Sequence, residues 1–106
     1  MPTEIETNKR TIPAFFELDQ NYPNPFNPVT TIGYRLSNAG NVKLIIFNLL
    51  GEKVRTLVNG HQNTGSYTLM WDGLNDFGDQ VTSGVYFYRM QFDSKMIKSR
   101  KMILMR

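Results

Sequence analysis

The chain has 106 residues, no cysteine and a formal net charge of +3. That length suits a single domain burying roughly 65% of the surface its unfolded chain exposes, and the lack of cysteine excludes a disulfide framework, a thiolate metal site and a cysteine nucleophile. The charge is mild, and no apolar run approaches the ~20 residues of a membrane-spanning helix.

Residues 1–13 are polar and aperiodic, read as a linker or expression tail, and the domain is assigned to 14–106. The start lacks the basic and apolar regions of a secretory signal, so if the domain is exported, either an upstream part of a longer chain carries the signal or the segment is a cut-out with an added Met. Ala14 to Leu18 is a short apolar candidate strand. Asn21 to Pro28 then holds three prolines, which fix φ and remove donors, so it reads as an extended segment at a sheet edge that Tyr22 and Phe26 pin onto the core.

Thr30 to Leu36 alternates, with Ile32, Tyr34 and Leu36 inward and Thr31, Gly33 and Arg35 outward. After the turn Ser37 to Asn41, Val42 to Phe47 becomes apolar on both faces and reads as a central strand. Asn48 to Gly51 makes a short hairpin to its partner, Glu52 to Val58. Asn59 to Gly65 is polar and reads as a connection. Ser66 to Trp71 alternates, putting Tyr67, Leu69 and Trp71 on one face; after an Asx-Gly-rich turn, Gly84 to Phe92 is apolar on both sides and is expected inside a sheet, covered on both faces. The pattern closes with Met96 to Met105. About seven strands, each bounded by turn residues and without a helical period, predict an all-β fold, a two-sheet antiparallel sandwich.

Candidate chemistry is sparse. His61 lies in a polar stretch with no nucleophile and orienting group beside it, so no catalytic residue is assigned and the chain is read as a non-enzyme. Asp72, Asn75, Asp76 and Asp79 supply the hard oxygens that calcium uses, but their spacing is not that of an EF-hand and Asx-rich turns form for backbone reasons alone. No cofactor or metal is assigned. Tyr67, Trp71, Tyr86 and Tyr88 could form a sugar-stacking row, although Trp and Tyr at strand spacing more often build a core. Lys95, Lys98, Arg100, Lys101 and Arg106 crowd the last stretch, which suits an edge strand guarded against pairing better than a nucleic-acid surface. Met102 to Met105 is a run of four apolar residues at a chain end, serving either core or partner; burial of a single face would account for Met102 and Leu104 only.

Several of these stretches together resemble a known family. Asn21-Tyr-Pro-Asn-Pro-Phe-Asn-Pro-Val-Thr-Thr-Ile, Val42 to Val54 with Asn48-Leu-Leu-Gly, Gly65 to Gly73 with Trp71-Asp-Gly, Ser83-Gly-Val-Tyr-Phe-Tyr and the ending Lys101-Met-Ile-Leu-Met-Arg106 are similar to the type A C-terminal sorting domain of the bacterial type IX secretion system. The resemblance covers about residues 17 to 106. It implies an immunoglobulin-like sandwich at the C-terminus of an exported protein, whose cargo lies N-terminal to it. It also implies recognition by the export machinery in the periplasm, then residence outside the cell or on the outer-membrane surface, commonly with removal by a sortase-like peptidase. No nucleic acid or small-molecule substrate is implied, and the sheet edges offer a route to a homodimer.

By the same resemblance Gly51, Gly65, Gly73 and Gly84 are turn glycines and Trp71 and Tyr86 core aromatics. Lys101, Met102, Ile103, Leu104, Met105 and Arg106 are the candidate recognition residues, and the match through Arg106 implies a native C-terminus. Asn48 departs from the Asp common in that family. The stretch Gly51 to Tyr88 also resembles the immunoglobulin-like domain of flagellar hook-capping proteins, which shares the Trp-Asp-Gly and Ser-Gly-Val-Tyr motifs. An assembly module of that kind, or an accessory carbohydrate-binding module of an extracellular hydrolase, is the alternative.

Overall fold

The computed structural model describes residues 15–106; residues 1–13, assigned above to a linker, and Ala14 lie outside them. Seven strands follow in order: β1 (Phe16–Leu18), β2 (Thr30–Leu36), β3 (Gly40–Phe47), β4 (Lys53–Gln62), β5 (Gly65–Trp71), β6 (Gly84–Phe92) and β7 (Met96–Leu104). They form two antiparallel sheets, one ordered β1-β2-β5 and the other β4-β3-β6-β7. Among the described residues there is no helix, and the fold is an immunoglobulin-like β-sandwich.

Alternation along each strand sorts the side chains between the layers. Ile32, Tyr34 and Leu36 of β2 face Val42, Leu44 and Ile46 of β3 and Tyr86, Tyr88, Met90 and Phe92 of β6 in one buried cluster. Burying each large apolar side chain is worth roughly 1.5–3 kcal/mol, so this cluster supplies the main drive to fold. Trp71 of β5 and Tyr86 of β6 belong to opposite sheets and meet edge-on across the core with ring centroids 5.5 Å apart. The indole N–H donates to the Leu74 carbonyl (2.9 Å) and the Tyr86 hydroxyl to the Thr82 carbonyl (2.7 Å), so neither buried polar tip is orphaned.

The structure corrects four expectations. The sheet covers β6 on one face only: Val85 and Phe87 lie half-buried on the outside, because a two-layer sandwich has no third layer for them. Arg89 instead stacks over the neighbouring Phe47 ring at 4.6 Å, giving that outer apolar surface a cationic cover. His61 belongs to β4 rather than to a turn. Strands β3 and β4 run on to pair Gly40 with Gln62 and Asn41 with His61, overriding the turn signals of Asn59-Gly60. Gly40 permits this, since a Cβ there would lie 2.6 Å from the Phe92 ring. Tyr22 pins nothing: its ring is 80% exposed, while its backbone pairs with Thr31. Finally, Gly65 and Gly84 open β5 and β6 instead of sitting within turns.

Burial pushes the Tyr88 hydroxyl up to about 12, against the lowering influence of nearby Arg100. Its O–H donates to the Asp19 carbonyl at 2.6 Å. The folded protein therefore keeps a proton that the unfolded chain releases near pH 10. Its stabilising effect is complete below pH 10 and is lost as pH rises towards 12. Urea unfolding at pH 8 and pH 11.5 is expected to show this loss, and Tyr88→Phe to flatten it.

Candidate functional site

The candidate recognition residues end β7, which reaches them through a tight hairpin. Asp93 (φ 52°) and Ser94 (φ 58°) occupy the left-handed region together, at the centre of a three-residue connection that the Lys95 N–H closes by donating to the Phe92 carbonyl at 3.0 Å. Asp93 ties this turn to β3, donating its N–H to the Asn41 carbonyl and accepting from the Asn41 N–H, both at 2.8 Å.

The first half of β7 closes one side of the sandwich. Lys98 Nζ donates to the Phe16 carbonyl (2.7 Å) and Arg100 Nε to the Leu18 carbonyl (2.6 Å), so these two cations cap the free edge of β1. Two of the five crowded basic residues are thereby committed to joining the sheets.

The second half divides by face. Met102 and Leu104 are fully buried in the core opposite Tyr86 and Gly84. They are corrected from candidate recognition residues to core residues, because strand alternation turns them inward. Lys101 is exposed, Ile103 half-buried on the outer face and Met105 56% exposed.

The proline-rich segment lies along the edge of this half. The Phe26 N–H donates to the Ile103 carbonyl (3.0 Å) and the Met105 N–H to the Phe26 carbonyl (2.8 Å), forming a parallel bridge. Prolines have no N–H, and asparagine and glutamine side chains take up the missing polar work. Asn24 Oδ1 accepts from the Ile103 N–H (3.0 Å), and Gln20 Nε2 donates to the Lys101 carbonyl (2.7 Å). Asn21, 2% exposed, donates to the Pro23 carbonyl and to Thr30 Oγ1, and Thr30 donates to the same carbonyl at 2.8 Å. The sequence reading missed this buried pair; the signal for it was polar residues interleaved with prolines that cannot donate. Phe26 itself packs on Trp71 with centroids 5.7 Å apart.

Arg106 completes the unit. Its N–H donates to Ser83 Oγ (2.9 Å), Nε to the Val81 carbonyl (2.7 Å) and Nη2 to the Gly73 carbonyl (2.8 Å). Gly73 has φ 78°, and a Cβ on it would lie 2.6 Å from Arg106 Nη2. Glycine is required there by the backbone conformation, and a Cβ would in addition displace the guanidinium.

The other candidates do different work. Asn75 Oδ1 accepts from the Phe77 and Asp79 N–H groups, Asp72 Oδ1 from that of Leu74 and Asp76 Oδ1 from that of Thr56. Arg55 lies 3.4 Å from Asp72 and 4.0 Å from Asp76. These oxygens close turns and an ion-pair network rather than converging on one point. Trp71, Tyr86 and Tyr88 are buried and Tyr67 stacks on Tyr34 at 5.2 Å, so they form core and not a sugar platform. Asn48 Oδ1 accepts from the Leu50 and Glu52 N–H groups while Nδ2 donates to Glu52 Oε1, and Gly51 (φ 82°) completes the hairpin. An Asp at 48 could not make that donation.

Gly73→Ala is expected to cost about 1–3 kcal/mol, through a strained φ and the displaced guanidinium, whereas Arg106→Ala costs about 1 kcal/mol. Denaturant unfolding of both variants and their double mutant checks the coupling. The double mutant should cost less than the sum of the two.

Comparison with solved structures finds this sandwich inside larger proteins. It is similar to part of dimeric latent PorU from Porphyromonas gingivalis, with 21% identity and TM-score 0.71, over 90% of this chain and 10% of that one. It is similar to part of PorZ from the same organism, an essential bacterial surface component of its type IX secretion system, with 22% identity and TM-score 0.55, over 88% of this chain and 11% of that one. It is also similar to FlgD from P. aeruginosa, with 22% identity and TM-score 0.54, over 76% of this chain and 67% of that one. The chain spans about a tenth of the length of PorU and PorZ. No curated protein sequence matches it. The sequence family described as the FlgD Ig-like domain matches residues 27–95, from the end of the proline-rich segment to the β6–β7 turn, and the chain belongs to that family.

Proposed function

We propose that this domain is a non-catalytic sorting module that directs an N-terminally fused cargo through a type IX secretion system. The observation that carries the reading is the union of the two segments outside the family match. Residues 15–26 and 96–106 flank the matched stretch, and they bind one another through the bridge of Phe26 to β7 and the bonds of Asn24 and Gln20. They carry Asn24-Pro-Phe of the Asn-Pro-Phe-Asn-Pro entry, whose Asn27 and Pro28 begin the matched stretch, and the whole Lys-Met-Ile-Leu-Met-Arg ending, the two features that separate the sorting resemblance from the hook-cap one. Fold likeness to portions of PorU and PorZ is consistent with a type IX context.

In this reading the mechanism is presentation. A rigid core holds Lys101, Ile103 and Met105 outward on a strand whose edge is sealed, so the export machinery meets side chains rather than a loose terminus. Passage through the periplasm to the cell surface or medium, and removal by a sortase-like peptidase upstream of Phe15, belong to the same proposal. The hook-cap alternative rests on the family match itself and makes the sandwich an assembly module without an export role.

Truncating Lys101 to Arg106 does not separate recognition from folding, because it deletes Met102 and Leu104 from the core. The double variant Lys101→Glu, Met105→Ser keeps the inward face. With a signal-peptide-bearing fluorescent cargo in a host with an active type IX system, it is expected to fold normally by circular dichroism yet leave about tenfold more cargo in the periplasm than wild type. Normal release of that folded variant would contradict recognition through this surface.

A further inference from the structure

An edge strand is a row of unpaired backbone donors and acceptors that another chain can extend. The sandwich has edges at β1, β7, β4 and β5, and three of them are guarded. Lys98 and Arg100 cap the β1 carbonyls. On β7, the segment around Asn24 and Phe26 covers the last residues, and Lys98, Arg100 and Lys101 charge the rest. On β4, Asp76 occupies the edge by donating its N–H to the Val54 carbonyl and accepting from the Thr56 N–H, both at 3.0 Å. Two register shifts also interrupt the β3–β4 ladder.

The β5 edge lacks every one of these devices. Thr31 exchanges both backbone bonds with Tyr22, and the Gly33 carbonyl accepts from Asp19, so these residues of β2 face the β1 side. Their alternates Thr30, Ile32, Tyr34 and Leu36 therefore bond to Trp71, Leu69, Tyr67 and Gly65 of β5. The backbone groups of Ser66, Thr68 and Met70 consequently point away from the sheet. Among the described residues no hydrogen bond reaches them. Their side chains are exposed, Met70 at 68%. The pairing of β2 with β5 runs without a register shift from Gly65 to Trp71, and the stretch holds no proline and no charge.

We propose that β5 pairs antiparallel with β5 of a second copy of this chain, joining the two three-stranded sheets into one. The two-fold axis passes beside Thr68, which exchanges N–H···O bonds with its own counterpart, and Ser66 pairs with Met70 of the second copy. Such an interface is self-complementary. It sets no like charges opposite each other, and Arg35, the neighbouring cation on that face of β2, is engaged by Glu17. A second copy is thus the occupant this neutral strand accepts without charge repulsion. One strand pair buries less than a standard interface, so the dimer is weak, with a dissociation constant of about 10–1000 μM. This inference stands apart from the sorting reading.

Sedimentation equilibrium of the 106-residue chain tests it. Across loading concentrations of about 10 μM to 1 mM the mass is expected to move from one chain towards two. Thr68→Pro removes an outward N–H and leaves the β2–β5 ladder intact. Thr68→Lys sets two ammonium groups opposite each other at the axis. Each is expected to raise the dissociation constant at least about tenfold, with circular dichroism reporting an unchanged fold; the lysine variant carries the test if proline disturbs the strand. A chain that stays monomeric throughout would overturn the proposal. So would a dimer insensitive to both changes, which would place the contact elsewhere, or a mass that climbs past two chains.

Discussion

Trp71 is the contact on which the rest of the structure depends. It ends β5 in one sheet, meets Tyr86 from the other sheet and receives Phe26 from the proline-rich segment. Its indole N–H is satisfied by Leu74 in the turn that follows. A single fully buried side chain therefore joins both layers, the entry segment and the Asp72-Gly73 turn. Because that turn also carries the Gly73 carbonyl that accepts from Arg106, the position of the last residue is set by the same cluster. Without disulfides, cohesion between the sheets rests on packing and on polar contacts at the rims.

Those rims show how a small sandwich manages its edges. Side chains, rather than additional strands, close β1 and part of β4, and a segment unable to form a regular ladder closes β7. Arginine and lysine suit this work because their long apolar stems lie along the sheet while their heads reach carbonyls. The basic crowd near the C-terminus is thereby explained in part by architecture. What remains outward there, chiefly Lys101, Ile103 and Met105, is a narrow surface on a well-supported strand.

Much of the fold was legible in the sequence because strand alternation is local information. The inward faces of β2 and β5, the Asn48 to Gly51 hairpin and the central place of β3 and β6 followed from residue order alone. What was misread depended on pairing between distant residues. Asn59-Gly60 resembles a turn, yet the partner residues Val42 and Lys43 hold it in a ladder. The double-sided apolar pattern of β6 suggested cover on both faces, whereas the outer residues are shielded by cross-strand neighbours such as Arg89 over Phe47. The terminal apolar run was recognised as special and strand alternation already singled out Met102 and Leu104 for one buried face; the formed β7 buries those two and leaves Met105 outward. The buried Asn21–Thr30 pair went unread although polar residues stand among the prolines, because the Pro23 carbonyl to which both donate is brought to Thr30 only by the folded segment.

Whether the domain is sufficient as a sorting signal is the most direct test of this account. Residues 14–106 would be fused to a signal-peptide-bearing fluorescent cargo and expressed in a host with an active type IX system and in its secretion-deficient counterpart, followed by fractionation. The account predicts cargo outside the cell in the first strain and in the periplasm in the second. Cargo held in the periplasm of both strains, with the domain folded, would contradict it.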